Sequence, residues 1–160
     1  MPTAAGSSEA RAAGSVVATF TWPVRVYWED TDTGGIVFYA NYLKFFERTR
    51  TEWLRSLGLA QQRLREQGTG QFVVTHTDVR YHRPARLDDF LLVTARLLDA
   101  GRASLTIEQR VLLQSSNGDE LKSDPCLLCE GRIRIGWVDP HQLRPQRIPA
   151  DLLALLSATC

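Results

Sequence analysis

The chain has 160 residues, 44% of them hydrophobic and 23% charged, with a formal net charge of +1. That length predicts one domain with room for a real core. The near-neutral charge gives no basis for nucleic-acid binding, and no apolar run approaches the roughly 18 residues of a membrane span.

Residues 1–18 are rich in Ala, Gly and Ser, without a period, and are expected to form a disordered arm. Residues 19–160 form the expected domain. Phe20 to Tyr27 predicts a first strand, with Phe20, Trp22, Val24 and Val26 on one face. An acidic turn follows, Glu29-Asp30-Thr31-Asp32-Thr33-Gly34-Gly35. Asp30 and Asp32 are two apart, so an extended chain sends both the same way. Gly34 and Gly35 allow backbone to approach a ligand that side chains would block.

A helix is predicted from about Asn41 to Leu57. Tyr42, Leu43, Phe45, Phe46, Thr49, Trp53, Leu54 and Leu57 recur at three- and four-residue steps, with Lys44, Glu47, Arg48, Arg50 and Arg55 opposite. Gly58 supplies the stop. Free N–H groups near Tyr39 and Ala40 can receive an acyl oxygen. A simpler reading makes Asp-Thr-Asp-Thr-Gly-Gly an ordinary turn with Asp as an entry cap.

Ala60 to Gln67 predicts a short surface helix or loop anchored by Leu64, ended by Gly68-Thr69-Gly70. Strands follow at Gln71–His82, Asp89–Leu98, Ala103–Gln114 and Cys126–Val138. Asp99 to Arg102 is the expected hairpin turn between the third and fourth strands. Asn117-Gly118 signals another hairpin, and Asp119 to Pro125 reads as added loop. Pro149-Ala150-Asp151 opens a terminal helix carrying Leu152, Leu153, Leu155 and Leu156. One early helix and a run of antiparallel strands argue α+β, with the sheet curled round a helix too apolar for an open surface.

Cys126 and Cys129 form one C-x-x-C without a second pair or nearby His, which reads as free thiols rather than zinc or redox chemistry. On a regular strand their offset of three points them to opposite faces. No basic start with an apolar core opens the chain, so a reduced, cytoplasmic setting is expected. His76, His82 and His141 lack partners at metal-ligand spacing. Glu47 reads as a partner of Arg50 or Thr51 on the helix surface, or as a support beneath the site. Arg83 and Arg86 flank Pro84 and read as loop holders or partners of Asp88 or Asp89, with added positive potential for a ligand as the alternative. No Gly-x-Ser-x-Gly elbow occurs, which argues against a serine triad.

Two blocks carry a family resemblance: Trp22 to Tyr27 running into Glu29-Asp30-Thr31-Asp32, Gly34-Gly35 and Phe45 to Glu52, then Tyr81 with Pro84 to Asp89. The chain resembles the hotdog-fold acyl-CoA thioesterases of the 4-hydroxybenzoyl-CoA thioesterase family, in the branch associated with the Tol–Pal envelope system. The resemblance implies an α+β hotdog fold, a long central helix wrapped by a curled antiparallel sheet of about five strands. It implies hydrolysis of an acyl-CoA, or an acyl carrier protein thioester, without a cofactor.

The same resemblance makes Asp32 the catalytic carboxylate, as nucleophile or general base, and the Tyr39 N–H the donor to the thioester carbonyl. Many members of that branch have His at the Tyr39 position, so a His acid–base role is absent here. Arg102, beside Ser104, is implied to meet CoA phosphates; an exposed turn arginine is the plainer alternative. The resemblance also implies a homodimer, or a tetramer built as a dimer of dimers, with each site at the dimer boundary. Two other readings stay open: a non-catalytic acyl-binding partner of the envelope system, and a hotdog dehydratase. The second is weakened because the helix carries no His.

Overall fold

The structure is a computed structural model, and it describes residues 18–115 and 124–159. The expected N-terminal arm falls almost wholly outside the described residues, as does the Asn117-Gly118 turn.

Five strands form one antiparallel sheet: β1 (Phe20–Arg25), β2 (Gln71–Tyr81), β3 (Phe90–Ala100), β4 (Ser104–Ser115) and β5 (Cys126–Val138). Their order is β1-β3-β4-β5-β2, which leaves β1 and β2 as edges. Among the described residues three α-helices accompany them: α1 (Asn41–Ser56), α2 (Gln61–Glu66) and α3 (Ala150–Ser157). The turn between β3 and β4 tightens to residues 101–103, because β3 runs on through Ala100.

Alternation along the strands builds the inner face. Leu91, Val93, Ala95 and Leu97 of β3 are buried, as are Leu105, Ile107 and Val111 of β4 and Ile133, Ile135 and Trp137 of β5. They share one core with Tyr42, Phe45, Phe46, Trp53 and Leu54 of α1. Burial of each large apolar side chain contributes roughly 1.5–3 kcal/mol, so this contact fixes where α1 begins and ends relative to the sheet. At sixteen residues α1 spans about 24 Å. Gly58, with φ of +81°, follows the last turn as a glycine stop should.

Two expectations on burial fail. Leu43 is exposed rather than on the buried stripe, because it lies at the border of the helix's apolar arc. Arg50, expected on the solvent face, is buried and donates to Gln109 Oε1 at 2.7 Å. Gln109 lies on the inner face of β4 and itself donates to the Phe46 carbonyl at 3.0 Å. Burial lowers the affinity of the Arg50 guanidinium for its proton, and the nearby Glu47 works the other way.

The cysteines also depart from expectation. Val111 pairs with Cys129 and Leu112 with Leu127, so β5 carries one extra residue at that point. This bulge breaks the alternation, and Leu128 and Cys129 are both buried. Cys126 packs partly against the same core instead of facing away from it. Burial pushes the Cys129 thiol up to about 12, with Glu130 adding to the shift.

Candidate active site

The acidic turn is not extended. Trp28–Asp30 forms a single 3-10 turn, and this separates the two aspartates. Asp30 is buried, and its Oδ2 accepts the Tyr27 N–H at 2.9 Å. Asp32 is exposed in the single chain, and its Oδ1 accepts the Gly34 N–H at 2.8 Å. The expectation that both carboxylates point the same way is therefore wrong, since a 3-10 turn does not alternate. Neither aspartate caps α1, whose N-cap is Ala40 without a side-chain bond; Asp30 closes the 3-10 turn, and Asp32 is held in an Asx turn at the surface.

Gly34 makes room for that carboxylate. A Cβ placed there would stand 3.0 Å from Asp32 Oδ1. Gly35 has φ of +73° with open space around it, so its requirement is backbone conformation.

The turn is tied to the start of α1. The Asp30 carbonyl accepts the Phe38 N–H at 2.9 Å and Asn41 Nδ2 at 2.9 Å. Asn41 N–H in turn bonds the Phe38 carbonyl at 2.8 Å. Among the described residues, the N–H groups of Tyr39 and Ala40 have no acceptor within the chain. No acidic side chain lies in the first turn of α1, so its positive end is left for a ligand's negative charge.

Aromatic rings line the adjacent cavity, of about 260 Å³, whose walls include Ile36, Val37, Tyr39, Tyr42 and Tyr81. Asp32 is joined to it through its backbone, the Asp32 N–H donating to the Ile36 carbonyl at 2.9 Å. Tyr42 Oη accepts the Ala85 N–H at 3.0 Å. Tyr81 Oη donates to the Tyr39 carbonyl at 2.9 Å. Both phenols have raised pKa values, chiefly through burial, and stay protonated.

Arg102 and Ser104 are elsewhere. Ser104 pairs with Gly136, which pairs with Val73, whereas Tyr81 lies eight residues further along β2. At about 3.3 Å per residue that is roughly 26 Å from the cavity within one chain. Arg102 is exposed, its carbonyl accepts the Ile148 N–H at 2.8 Å, and Ser104 Oγ accepts Arg134 Nη2 at 3.2 Å.

The secondary residues have local partners. Glu47 Oε1 accepts Thr51 Oγ1 at 2.8 Å. Arg83 Nη1 meets Cys126 Sγ at 3.2 Å, and the Arg86 N–H donates to Asp89 Oδ2 at 2.8 Å. His82 Nε2 lies 2.9 Å from Glu130 Oε1. No group of three or more His, Cys, Asp or Glu among the described residues is arranged to hold a metal. No helix among them is long and apolar enough to cross a membrane. Sequence reasoning gave no role to Asn41 or Tyr81. A polar residue opening a strongly apolar helix was the available signal for Asn41. Tyr81, at the end of a strand before Arg83-Pro84, offered only its place in a motif.

An α+β layer, with a carboxylate turn beside the free amides of a helix start, defines a class of acyl-transfer scaffold. A thioesterase superfamily model matches residues 34–117, and the chain belongs to that superfamily. It is 38% identical over 135 residues to the acyl-CoA thioester hydrolase YbgC of Escherichia coli O6:H1, covering 84% of this chain and 93% of the relative. The crystal structure of a probable thioesterase from Bartonella henselae is 30% identical, with a TM-score of 0.68 over 82% of this chain and 99% of that one. A 4-hydroxybenzoyl CoA thioesterase complexed with 4-hydroxybenzoyl CoA shares the fold, with a TM-score of 0.74 at 22% identity over 86% of this chain and 97% of that one. The architecture is thus the hotdog fold of thioesterases.

Proposed function

We propose that this protein is a thioester hydrolase that splits acyl-CoA into free acid and CoA. The observation that carries the reading is the Asp32 carboxylate, fixed by Gly34, in the turn bonded to a helix start whose Tyr39 N–H has no partner in the chain. The 38% identity to an acyl-CoA thioester hydrolase supports the substrate class.

The thioester carbonyl oxygen accepts the Tyr39 N–H, which gains strength as that oxygen becomes negative. One such donor contributes about 3–4 kcal/mol to the transition state. Asp32 then acts by one of two routes. As nucleophile, its oxygen bonds to the acyl carbon, the C–S bond breaks, and water hydrolyses the resulting anhydride. As general base, it takes a proton from a water whose oxygen bonds to the acyl carbon, and that proton passes to the departing thiolate.

The site reading extends to a dimer made through β2. That strand is a free edge with Val74 and Tyr81 exposed, and free edges invite pairing. Two β2 strands paired antiparallel about a two-fold axis set the Tyr81 end of one beside the Gln71 end of the other. The partner's Arg102 and Ser104 then come to the side of the cavity where the CoA phosphates leave, which reconciles them with their distance from Asp32 in one chain. The same arrangement covers the exposed Asp32. A dimer of dimers and an acyl carrier protein as an alternative thiol carrier belong to this reading. So does the Tol–Pal-associated branch, which rests on the resemblance carried by the blocks at residues 22–52 and 81–89. A cytoplasmic setting suits the free thiols of Cys126 and Cys129.

A thiol-release assay across short, long and aromatic acyl-CoAs tests the activity. Saturable release of CoA from at least one substrate is expected. Saturable binding of acyl-CoA without release would favour a binding protein instead.

A further inference from the structure

The Tyr81 hydroxyl has a use that neither strand pairing nor core packing requires. It sits at the very end of the edge strand β2, 45% exposed, and reaches across to a loop 42 residues away in sequence. There it donates to the Tyr39 carbonyl at 2.9 Å. Its ring stands edge-on to Tyr39, with centroids 6.4 Å apart, and to Tyr42 at 5.5 Å. Tyr42 is itself locked by the Ala85 N–H. The phenol is thus aimed by a buried neighbour, and its one hydrogen bond among the described residues is to Tyr39, which lines the cavity and whose N–H has no partner within the chain.

Residues 38–40 have few other ties. Phe38 is bonded at both its N–H and its carbonyl, but the Tyr39 and Ala40 amides have no partner within the chain. The 39–40 peptide, which joins the Tyr39 carbonyl to the Ala40 N–H, has Tyr81 as its hydrogen-bond partner; without it this peptide can rotate and change the torsions at Tyr39 that aim the neighbouring Tyr39 N–H. Fixing the Tyr39 carbonyl sets the 39–40 peptide plane and restrains the backbone torsions at Tyr39. We infer that Tyr81 is a positioning residue for hydrolysis, its hydroxyl holding the Tyr39 backbone so that the donor at the helix start keeps its aim. This rests on the thioesterase reading above.

Tyr81→Phe removes the hydroxyl and keeps the ring contacts. A neutral hydrogen bond lost from the positioning network is expected to lower kcat about five- to tenfold. KM for the acyl-CoA should hold, because the donor matters most in the transition state. The melting midpoint should also hold, since the hydroxyl is not in the core. Tyr81→Leu, which loses ring and hydroxyl alike, should fall at least as far in kcat. In a ¹⁵N–¹H correlation spectrum of Tyr81→Phe, the Tyr39 and Ala40 amide signals should move while those of β3 and β4 stay in place.

Wild-type kcat in Tyr81→Phe overturns the inference, as does a loss of kcat accompanied by a matching fall in melting midpoint. Unmoved Tyr39 and Ala40 amides overturn it whether or not turnover is seen. Failure of the function reading is separate: it is the wild-type protein releasing no CoA from any substrate.

Discussion

Gly34→Ala isolates the placement of the Asp32 carboxylate from its chemistry. The new Cβ would meet Asp32 Oδ1 at 3.0 Å, against about 3.4 Å or more for ordinary contact, so one of them must shift by a few tenths of an ångström. The backbone at Gly34 is not in the left-handed region, so alanine brings no conformational strain of its own. The turn is exposed, and global stability should change by less than about 0.5 kcal/mol. Misplacement of a reacting group by about 1 Å costs on the order of a hundredfold. A shift of a few tenths then predicts a fall in kcat of about five- to tenfold, or about 1–1.4 kcal/mol in the barrier. Gly35→Ala is the control. It meets nothing within 4 Å but forces φ of +73° on alanine, which costs about 1–2 kcal/mol in stability while leaving the carboxylate untouched. Steady-state thiol release and urea unfolding of both variants decide the matter. Full kcat in Gly34→Ala, with the loss in Gly35→Ala instead, would refute the geometric argument.

Three further outcomes follow from the same structure. Gln109→Leu strands the buried Arg50 guanidinium and removes a second donor from the Phe46 carbonyl, and should destabilise the fold by about 3 kcal/mol in urea titration; pairing it with Arg50→Met should cost clearly less than the sum of the two single changes. The Cys129 thiol, raised from an ordinary 9.0 to about 12, keeps its proton in the folded state after the unfolded chain has lost it. Stability is therefore full below pH 9 and falls above it, at up to about 1.4 kcal/mol per pH unit, until about pH 12. Between pH 9 and 10 Cys129→Ala should flatten that slope, and an unchanged slope would contradict the assignment. Val74→Lys puts a charge on the exposed β2 edge; light scattering should show half the native mass and thiol release should fall with it, whereas an intact, active assembly would exclude β2 pairing.

The helix was legible because Phe45, Phe46, Trp53 and Leu54 repeat at helical spacing, and glycine marks its end. The fifth strand matched from Cys126 to Val138, for a proline precedes it and Asp139-Pro140 follows it. What the sequence hid was non-local or sub-periodic. Arg50 looks solvated until Gln109, 59 residues away, is brought beneath it. A single 3-10 turn sends Asp30 inward and Asp32 outward, and no residue pattern distinguishes that turn from an extended pair. The bulge near Leu128 is equally silent, since one extra residue shifts parity without changing composition. Arg102 and Ser104 came from resemblance alone, and strand register sets them far from the Tyr81 cavity within one chain. The choice of Asp32 over Asp30 came from resemblance rather than from spacing. Both carboxylates accept a local backbone N–H, and they differ in burial: Asp30 is buried and Asp32 is exposed.

The most direct measurement is kcat for Asp32→Asn beside Asp30→Asn on the best acyl-CoA substrate, with folding checked by circular dichroism. Asparagine at position 32 should keep the turn through its side-chain oxygen and lower kcat by about 10²–10⁴-fold, the range for loss of a catalytic acid or base. Asparagine at position 30 still accepts the Tyr27 N–H and should cost far less. Near-native turnover in a folded Asp32→Asn protein would contradict the account.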